Sequence, residues 1–259
     1  QILDHLKIGN NEEDWADKIS KATELAYMFR EHQNDRDSLN SILSYRQAAI
    51  WAKQIQDQKL NLVSQNTSNM PGSWIASLGH TTHLTTADKN GNVVSLTQTV
   101  GPNMGSKVAS KELGFLYAVT LGGYLGKYKP GDRSNSHITP TLFMDEDKVV
   151  LAIGAAGGSR IITAVTQVAH RYLAQKSELK RALFLPRVYP FEDSLWIEDH
   201  DGVKQLNADF NMDNYLFKMI DEKARFGRVH AIAYDSISKS WIGAADPDWE
   251  GTVENHITK

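Results

Sequence analysis

The sequence predicts an α+β chain in which largely antiparallel sheets are layered with helices. Three observations predict it. Residues 81–100 alternate in polarity on both sides of a turn, the pattern of a β-hairpin. Residues 139–154 give two more strand-like runs around an acidic turn, and residues 228–246 give a last hairpin. Between these lie stretches with the apolar period of amphipathic helices. Strands joined by tight turns pair antiparallel, and helices then cover the faces of the sheets.

Each element follows in order. Trp15, Ile19, Ala22, Leu25, Ala26 and Phe29 recur at helical spacing over residues 13–33. A second helix is expected over residues 44–58, from Ala48, Ala49, Trp51, Ala52 and Ile55. Residues 61–80 are rich in Asn, Ser, Gly and Pro, lack such a period, and read as a linker. At Thr81 the character turns to β: residues 81–87 alternate, Lys89, Asn90, Gly91 and Asn92 make a turn, and residues 93–100 alternate again. A Gly-rich middle spans 114–131. Strands are expected at 139–144 and 149–154, with the turn at 145–148 between them. Small residues then lead into a helix over 159–175. A strand at 194–199, a helix over 212–224 and hairpin strands at 228–235 and 240–246 complete the chain. No internal repeat is present.

Composition excludes several functions. With 259 residues, 41% hydrophobic and 23% charged, the chain is of the globular kind, enough for one large domain or two small ones. A net charge of −3 gives no electrostatic case for nucleic acid or an anionic membrane. The absence of cysteine excludes a disulfide framework and a thiolate nucleophile. No apolar run reaches the ~18 residues of a membrane-spanning helix. The chain opens on Gln1 without a signal-like start and is expected to be a piece of something longer.

Two features can carry chemistry. Thr81 stands where the linker meets a strand. A threonine hydroxyl is a poor nucleophile until a base takes its proton. A free α-amine, with a pKa of about 7.7–8, is such a base, so a threonine freed at a chain terminus by cleavage after His80 carries its own. A threonine pair is equally ordinary strand material. The second feature is Gly154-Ala155-Ala156-Gly157-Gly158-Ser159-Arg160, between a strand and a helix. Its spacing fits neither a dinucleotide fingerprint nor a phosphate loop. Its backbone N–H groups suit an oxyanion hole; a tight strand-to-helix turn needs the same glycines.

In this order and spacing, these segments resemble the gamma-glutamyltransferase family (glutathione hydrolases) of N-terminal-nucleophile enzymes. Residues 81–99 are similar to the start of that family's small subunit. Residues 136–143 resemble its Ser-Ser-x-x-Pro-Thr segment, residues 154–168 its oxyanion segment, and residues 240–247 its C-terminal signature. The resemblance implies an αββα sandwich and a division into residues 1–80, the end of a large subunit with its processing linker, and residues 81–259, the small subunit. It implies that Thr81 is the nucleophile both of self-cleavage at His80–Thr81 and of an acyl-enzyme. It makes Thr99 the supporting hydroxyl, Gly157 and Gly158 the oxyanion donors, and Ser136 the first of the paired substrate-binding serines. It also implies a small-molecule amide or peptide substrate, an upstream large-subunit segment as partner, no cofactor, and a periplasmic or secreted location.

The departures from that pattern concern the substrate. The second paired serine is His137, a residue able to bind a carboxylate when charged. The family's Asn two residues after the supporting threonine is Gly101. Its Asn-Asn-Gln-Met-Asp-Asp stretch reads Ala118-Val119-Thr120-Leu121-Gly122-Gly123. Its Asp-Pro-Arg reads Asp246-Pro247-Asp248. Losing one partner of a charge-assisted contact costs several kcal/mol, about 3–5 when it is buried, so a free γ-glutamyl head is not the expected substrate. A scaffold or binding protein that has lost catalysis, or an acylase for another acyl group, fits the same departures.

The remaining polar residues have plainer readings. His83 shares a strand face with Thr81 and suits packing or hydrogen bonding. Asp145, Glu146 and Asp147 fit a solvated turn. His170, His200, His230 and His256 show no metal-ligand spacing, and no metal site is expected. Arg160 suits structural pairing, and the basic run 176–181 a solvated helix end.

Overall fold

A computed structural model describes residues 1–9, 11–58, 80–119, 128–191, 193–199, 216–223 and 225–255. In chain order the helices are α1 (Ile2–His5), α2 (Glu12–Met28), α3 (Arg36–Ile42), α4 (Tyr45–Gln56), α5 (Ile161–Leu173) and α6 (Leu179–Phe184). The strands are β1 (Thr81–Ala87), β2 (Val93–Thr99), β3 (Thr141–Asp145), β4 (Lys148–Ala156), β5 (Val188–Phe191), β6 (Ser194–Glu198), β7 (Leu216–Ile220), β8 (Arg228–Asp235) and β9 (Ser240–Ala245). The linker at 61–79, the stretch 120–127 with Gly122 and Gly123, His200 and His256 lie outside the described residues.

The chain divides into two compact units, and the division does not follow chain order. One takes the described residues of 1–73, 129–133 and 186–221; the other takes those of 74–128, 134–185 and 222–259.

In the first unit α2 is the organising helix. Asn11 caps it by accepting from the Glu13 N–H, and acidic residues fill its first turn, where the helix dipole favours them. Its Trp15, Ala16 and Ile19 pack with Val188, Leu195 and Ile197, while Ala22 and Leu25 pack with Trp51, Ala52 and Ile55. β5 pairs antiparallel with β6, and β6 pairs parallel with β7. The Arg187 guanidinium is buried against the Glu198 carboxylate, with Nε donating to Oε2 at 2.7 Å.

β7 corrects an expectation. The segment expected to be a helix over 212–224 is, among its described residues, a strand. Leu216, Met219 and Ile220 have helical spacing, but so short an apolar run fits either period. Pairing along β6 satisfies its backbone groups in a ladder instead. The predicted helix at 159–175 is shorter than expected: α5 ends at Leu173, Lys176 takes φ +58°, and α6 starts at Leu179.

The second unit is layered. β3, β4, β8 and β9 form an antiparallel sheet in the order β3-β4-β8-β9. One face carries Leu151, Ile153 and Ala155 of β4 and Val229, Ala231 and Ala233 of β8, all fully or almost fully buried against α5 and α6. Burying a side chain of leucine size contributes about 1.5–3 kcal/mol. Alternation puts Ala152, Gly154 and Ala156 on the other face, where the β1–β2 hairpin packs. Helices, a four-stranded sheet and a second, two-stranded sheet thus form successive layers. The expected acidic turn is present, with Glu146 at φ +50° between β3 and β4.

Candidate active site

The hairpin register builds the site. β1 and β2 pair with Thr81 opposite Thr99, His83 opposite Thr97 and Thr85 opposite Ser95. Asp88 fixes the connection by accepting from the Asn90 and Asn92 N–H groups at 2.8 and 2.9 Å. Residues two apart share a face, so these six side chains form one polar ladder. It is the inner, half-buried face; Thr82, Leu84, Thr86, Val94, Leu96 and Gln98 point outward and are exposed.

At the open end of the ladder the Thr81 hydroxyl donates to Thr99 Oγ1 at 3.0 Å. Thr99 Oγ1 also accepts from the Gly101 N–H at 3.0 Å, and its own proton faces the His80 carbonyl oxygen at 3.4 Å. Thr99 is therefore tied to the hydroxyl of Thr81 and to the carbonyl that precedes it. Gly101 is buried at φ +84°, a conformation suited to glycine, and that turn brings its N–H back to Thr99.

One rung further in, His83 Nδ1 lies 2.7 Å from Thr97 Oγ1. The ring is buried, and burial together with neighbouring His230 lowers its pKa to about 4. His83 is thus a neutral imidazole near pH 7. His230 is opposite Gly154 across the β4–β8 ladder. Burial lowers its pKa most; Asp246 opposes that and Arg228 adds to it. Among the described side chains, His83 Nε2 and His230 Nδ1 are buried without a hydrogen-bond partner.

The hairpin is registered against β4. Ser95 Oγ donates to the Ile153 carbonyl at 3.1 Å, and the His83 ring lies against Gly154. Both contacts lie on the second half of β4, the strand that leads to Gly157. There Gly157 has φ +139° and Gly158 φ +63°, and a 3-10 turn at Gly158–Arg160 leads into α5. Arg160 is buried in that turn.

The other anticipated residues are distributed as follows. Ser136 is exposed and accepts from the Ile138 N–H at 3.3 Å; His137 is buried, with its carbonyl accepting from the Thr139 hydroxyl at 2.9 Å. Asp246 is buried and accepts from the Val229 and Asp248 N–H groups, which makes it a brace between β8 and the turn after β9. Among the described residues no group of three His, Asp or Glu could hold a metal, and no helix is long and apolar enough to cross a membrane.

Sequence reasoning missed Thr97 and His230 as parts of this site, and the contact of Gly154 with His83. Two signals were available: glycine inside a strand marks a close approach, and the pairing of Thr81 with Thr99 fixes the His83–Thr97 rung.

Comparison with known proteins identifies relatives of the chain and of its fold. The chain is 30% identical over 181 residues to the glutathione hydrolase proenzyme of Bacillus subtilis strain 168, covering 68% of this chain and 30% of that protein. It therefore spans less than a third of that relative's length. A gamma-glutamyltranspeptidase structure from Pseudomonas nitroreducens matches with a TM-score of 0.52 and 25% identity, over 69% of this chain and all of that one. The cephalosporin acylase of Bacillus halodurans shares the fold more widely, with a TM-score of 0.72 over 95% of this chain and 47% of that one, at 18% identity. These likenesses identify the N-terminal-nucleophile hydrolase fold. With residues 1–255 matching the family described as Gamma-glutamyltranspeptidase, this chain belongs to that family.

Proposed function

We propose that the protein is an amide-bond acyltransferase or hydrolase that frees its own nucleophile by cleavage between His80 and Thr81. The observation that carries the reading is the contact of Thr81 Oγ1 with Thr99 Oγ1, whose hydroxyl also faces the His80 carbonyl. In self-cleavage Thr81 Oγ attacks the His80 carbonyl carbon, the C–N bond breaks in an N→O acyl shift, and water hydrolyses the ester. That leaves Thr81 at the head of residues 81–259, the small subunit, with residues 1–80 ending the large one.

In turnover the new α-amine takes the Thr81 proton as Oγ attacks an amide carbonyl. The Gly157 and Gly158 N–H groups stabilise the oxyanion, a contribution of about 10²–10³ in rate per donor. The proton passes to the leaving amine as the C–N bond breaks, and water or an acceptor amine then takes the acyl group from Thr81. Ser136 and His137 are the candidate contacts for a substrate carboxylate.

Gly101 favours a substrate other than a free γ-glutamyl compound. Gly101 stands where the family pattern has an asparagine, so that position offers no side-chain donor, and its backbone N–H is bound to Thr99. We therefore favour an N-acyl amide whose acyl group is not a free γ-glutamyl head as substrate.

Intact mass of the full-length precursor, with and without Thr81→Ala, tests self-cleavage. A panel of γ-glutamyl and other N-acyl amides tests turnover. A wild-type precursor that stays uncut and inert on long incubation would leave a binding protein as the reading. Turnover abolished by Thr81→Ala excludes that alternative.

A further inference from the structure

We propose that His83 is a positioning residue for the Thr81–Thr99 pair, holding the hairpin in place through Thr97 from a slot that Gly154 leaves open. The proposal rests on the reading of Thr81 as nucleophile and assigns its neighbour a role in that reaction without proton transfer.

Three observations carry it. First, His83–Thr97 is the rung of the ladder next to Thr81–Thr99 along the same face, and its 2.7 Å bond joins the two strands that present the threonines. A side-chain bond across one rung limits the shear of the next, because β1 and β2 shift as units. Second, the slot is built for a ring. A Cβ placed on Gly154 would lie 2.2 Å from His83 Cε1, 2.5 Å from Nδ1 and 2.7 Å from Nε2. Any other residue at 154 would displace the imidazole, and with it the face of the hairpin. Third, the ring is buried and one of its nitrogens is committed to Thr97. It is placed to brace the hairpin and is shielded from the solvent that a general base exchanges protons with.

The groups around it agree. β2 supplies Thr97, β4 supplies the bare backbone of Gly154, and β8 supplies His230, itself beside Asp246 and Arg228. The imidazole of His230 nearby disfavours charge on the His83 ring. A neutral imidazole can keep a single tautomer toward the threonine hydroxyl.

The test uses the full-length protein and compares His83→Leu, which keeps bulk without the bond, with His83→Asn, which retains a hydrogen-bonding group at the δ position. Amide hydrogen exchange reads the hairpin independently of catalysis. In His83→Leu the amides of β1 and β2 should exchange about five- to tenfold faster, the loss of one hydrogen bond, while those of β4 and α5 hold. The rate constant of Thr81-dependent turnover should fall about 10–100-fold, as displacement of a reacting group does, with KM within about threefold. His83→Asn should recover both readings and keep the acid limb of the pH profile in place. Should His83→Leu fail to fold, Thr97→Val removes the same bond from the other side, with the same results expected. Unchanged exchange of the hairpin amides overturns the proposal whatever the activity. Restored exchange in His83→Asn with turnover still as slow as in His83→Leu overturns it in favour of direct proton transfer. A wild-type protein without Thr81-dependent chemistry counts against the proposed function instead, and the exchange measurement still decides the role of the bond.

Discussion

The imidazole of His83 fills the space that a side chain at Gly154 would need, with Cε1 only 2.2 Å from the position of a Cβ there. Gly154 sits mid-strand in β4, between Ala152 and Ala156 on the face that receives the hairpin. Gly154→Ala therefore overpacks a closed layer, at a cost of about 1–3 kcal/mol. Urea denaturation should show that loss. In His83→Ala the same substitution should cost far less, because the clashing ring is gone. A double-mutant cycle thus yields a coupling well above the few tenths of a kcal/mol expected of independent sites. Additivity would show that the ring can move aside.

Thr99 is held at three points, by Thr81, Gly101 and the carbonyl of His80. Thr99→Val keeps the shape and deletes the hydroxyl. The Thr81 proton then loses its acceptor and the His80 oxygen its facing donor. With about 0.5–1.5 kcal/mol per hydrogen bond, self-cleavage should slow about tenfold for two bonds of modest strength. The fraction of cut precursor against time, read by mass spectrometry, measures it. Thr81→Ala should remain uncut throughout.

The low pKa of His83 has a consequence for stability. Its folded value of about 4 lies below the ordinary 6.5 because burial and His230 disfavour the charged ring. The unfolded chain therefore binds a proton first as pH falls. Stability is full above about 6.5, falls as pH drops toward 4, and levels off below that as the folded ring is protonated too. His83→Asn has no proton to bind at this site. The difference in urea midpoint between wild type and His83→Asn should shift against wild type across that window. His230, whose pKa is also lowered, remains in both proteins and largely cancels, as do its neighbours Asp246 and Arg228. A difference that stays flat from pH 7 to 4 contradicts a buried neutral ring.

Much of this site was legible in the chain. The alternation around residues 89–92 fixed the hairpin, and the hairpin fixed which residues share a face with Thr81. His83 was readable as a bonding neighbour for that reason, although its partner Thr97 follows only from register. The four-stranded sheet was visible as two hairpins, but which hairpin strand lies beside which is decided by the crossover that brings β8 next to β4. The close approach at Gly154 depends on that stacking of sheets, which no local pattern encodes. β7 was misread because five residues with apolar spacing fit two periods, and a neighbouring strand decided between them. The return of β5 and β6 to pack with α2 also lies beyond local periodicity.

Gly157 and Gly158 are adjacent, but they should not respond alike to a methyl group. Both have positive φ, which costs a non-glycine residue about 1–2 kcal/mol. At Gly157 the added Cβ would also lie 2.7 Å from the Gly227 Cα, a backbone atom that cannot rotate away. At Gly158, among the described residues other than its chain neighbours, no atom lies within 4 Å of the added Cβ. Gly158→Ala should therefore fold with only the backbone cost and keep its N–H for an oxyanion. Gly157→Ala should lose stability by about 1–3 kcal/mol more through overpacking, and push the strand-to-helix turn away from Gly227. Thermal or urea denaturation of the two variants ranks them. Self-cleavage and turnover rates then read the second effect, with Gly157→Ala the slower of the two. Equal stability of the variants would mean that the Gly157–Gly227 approach relaxes freely.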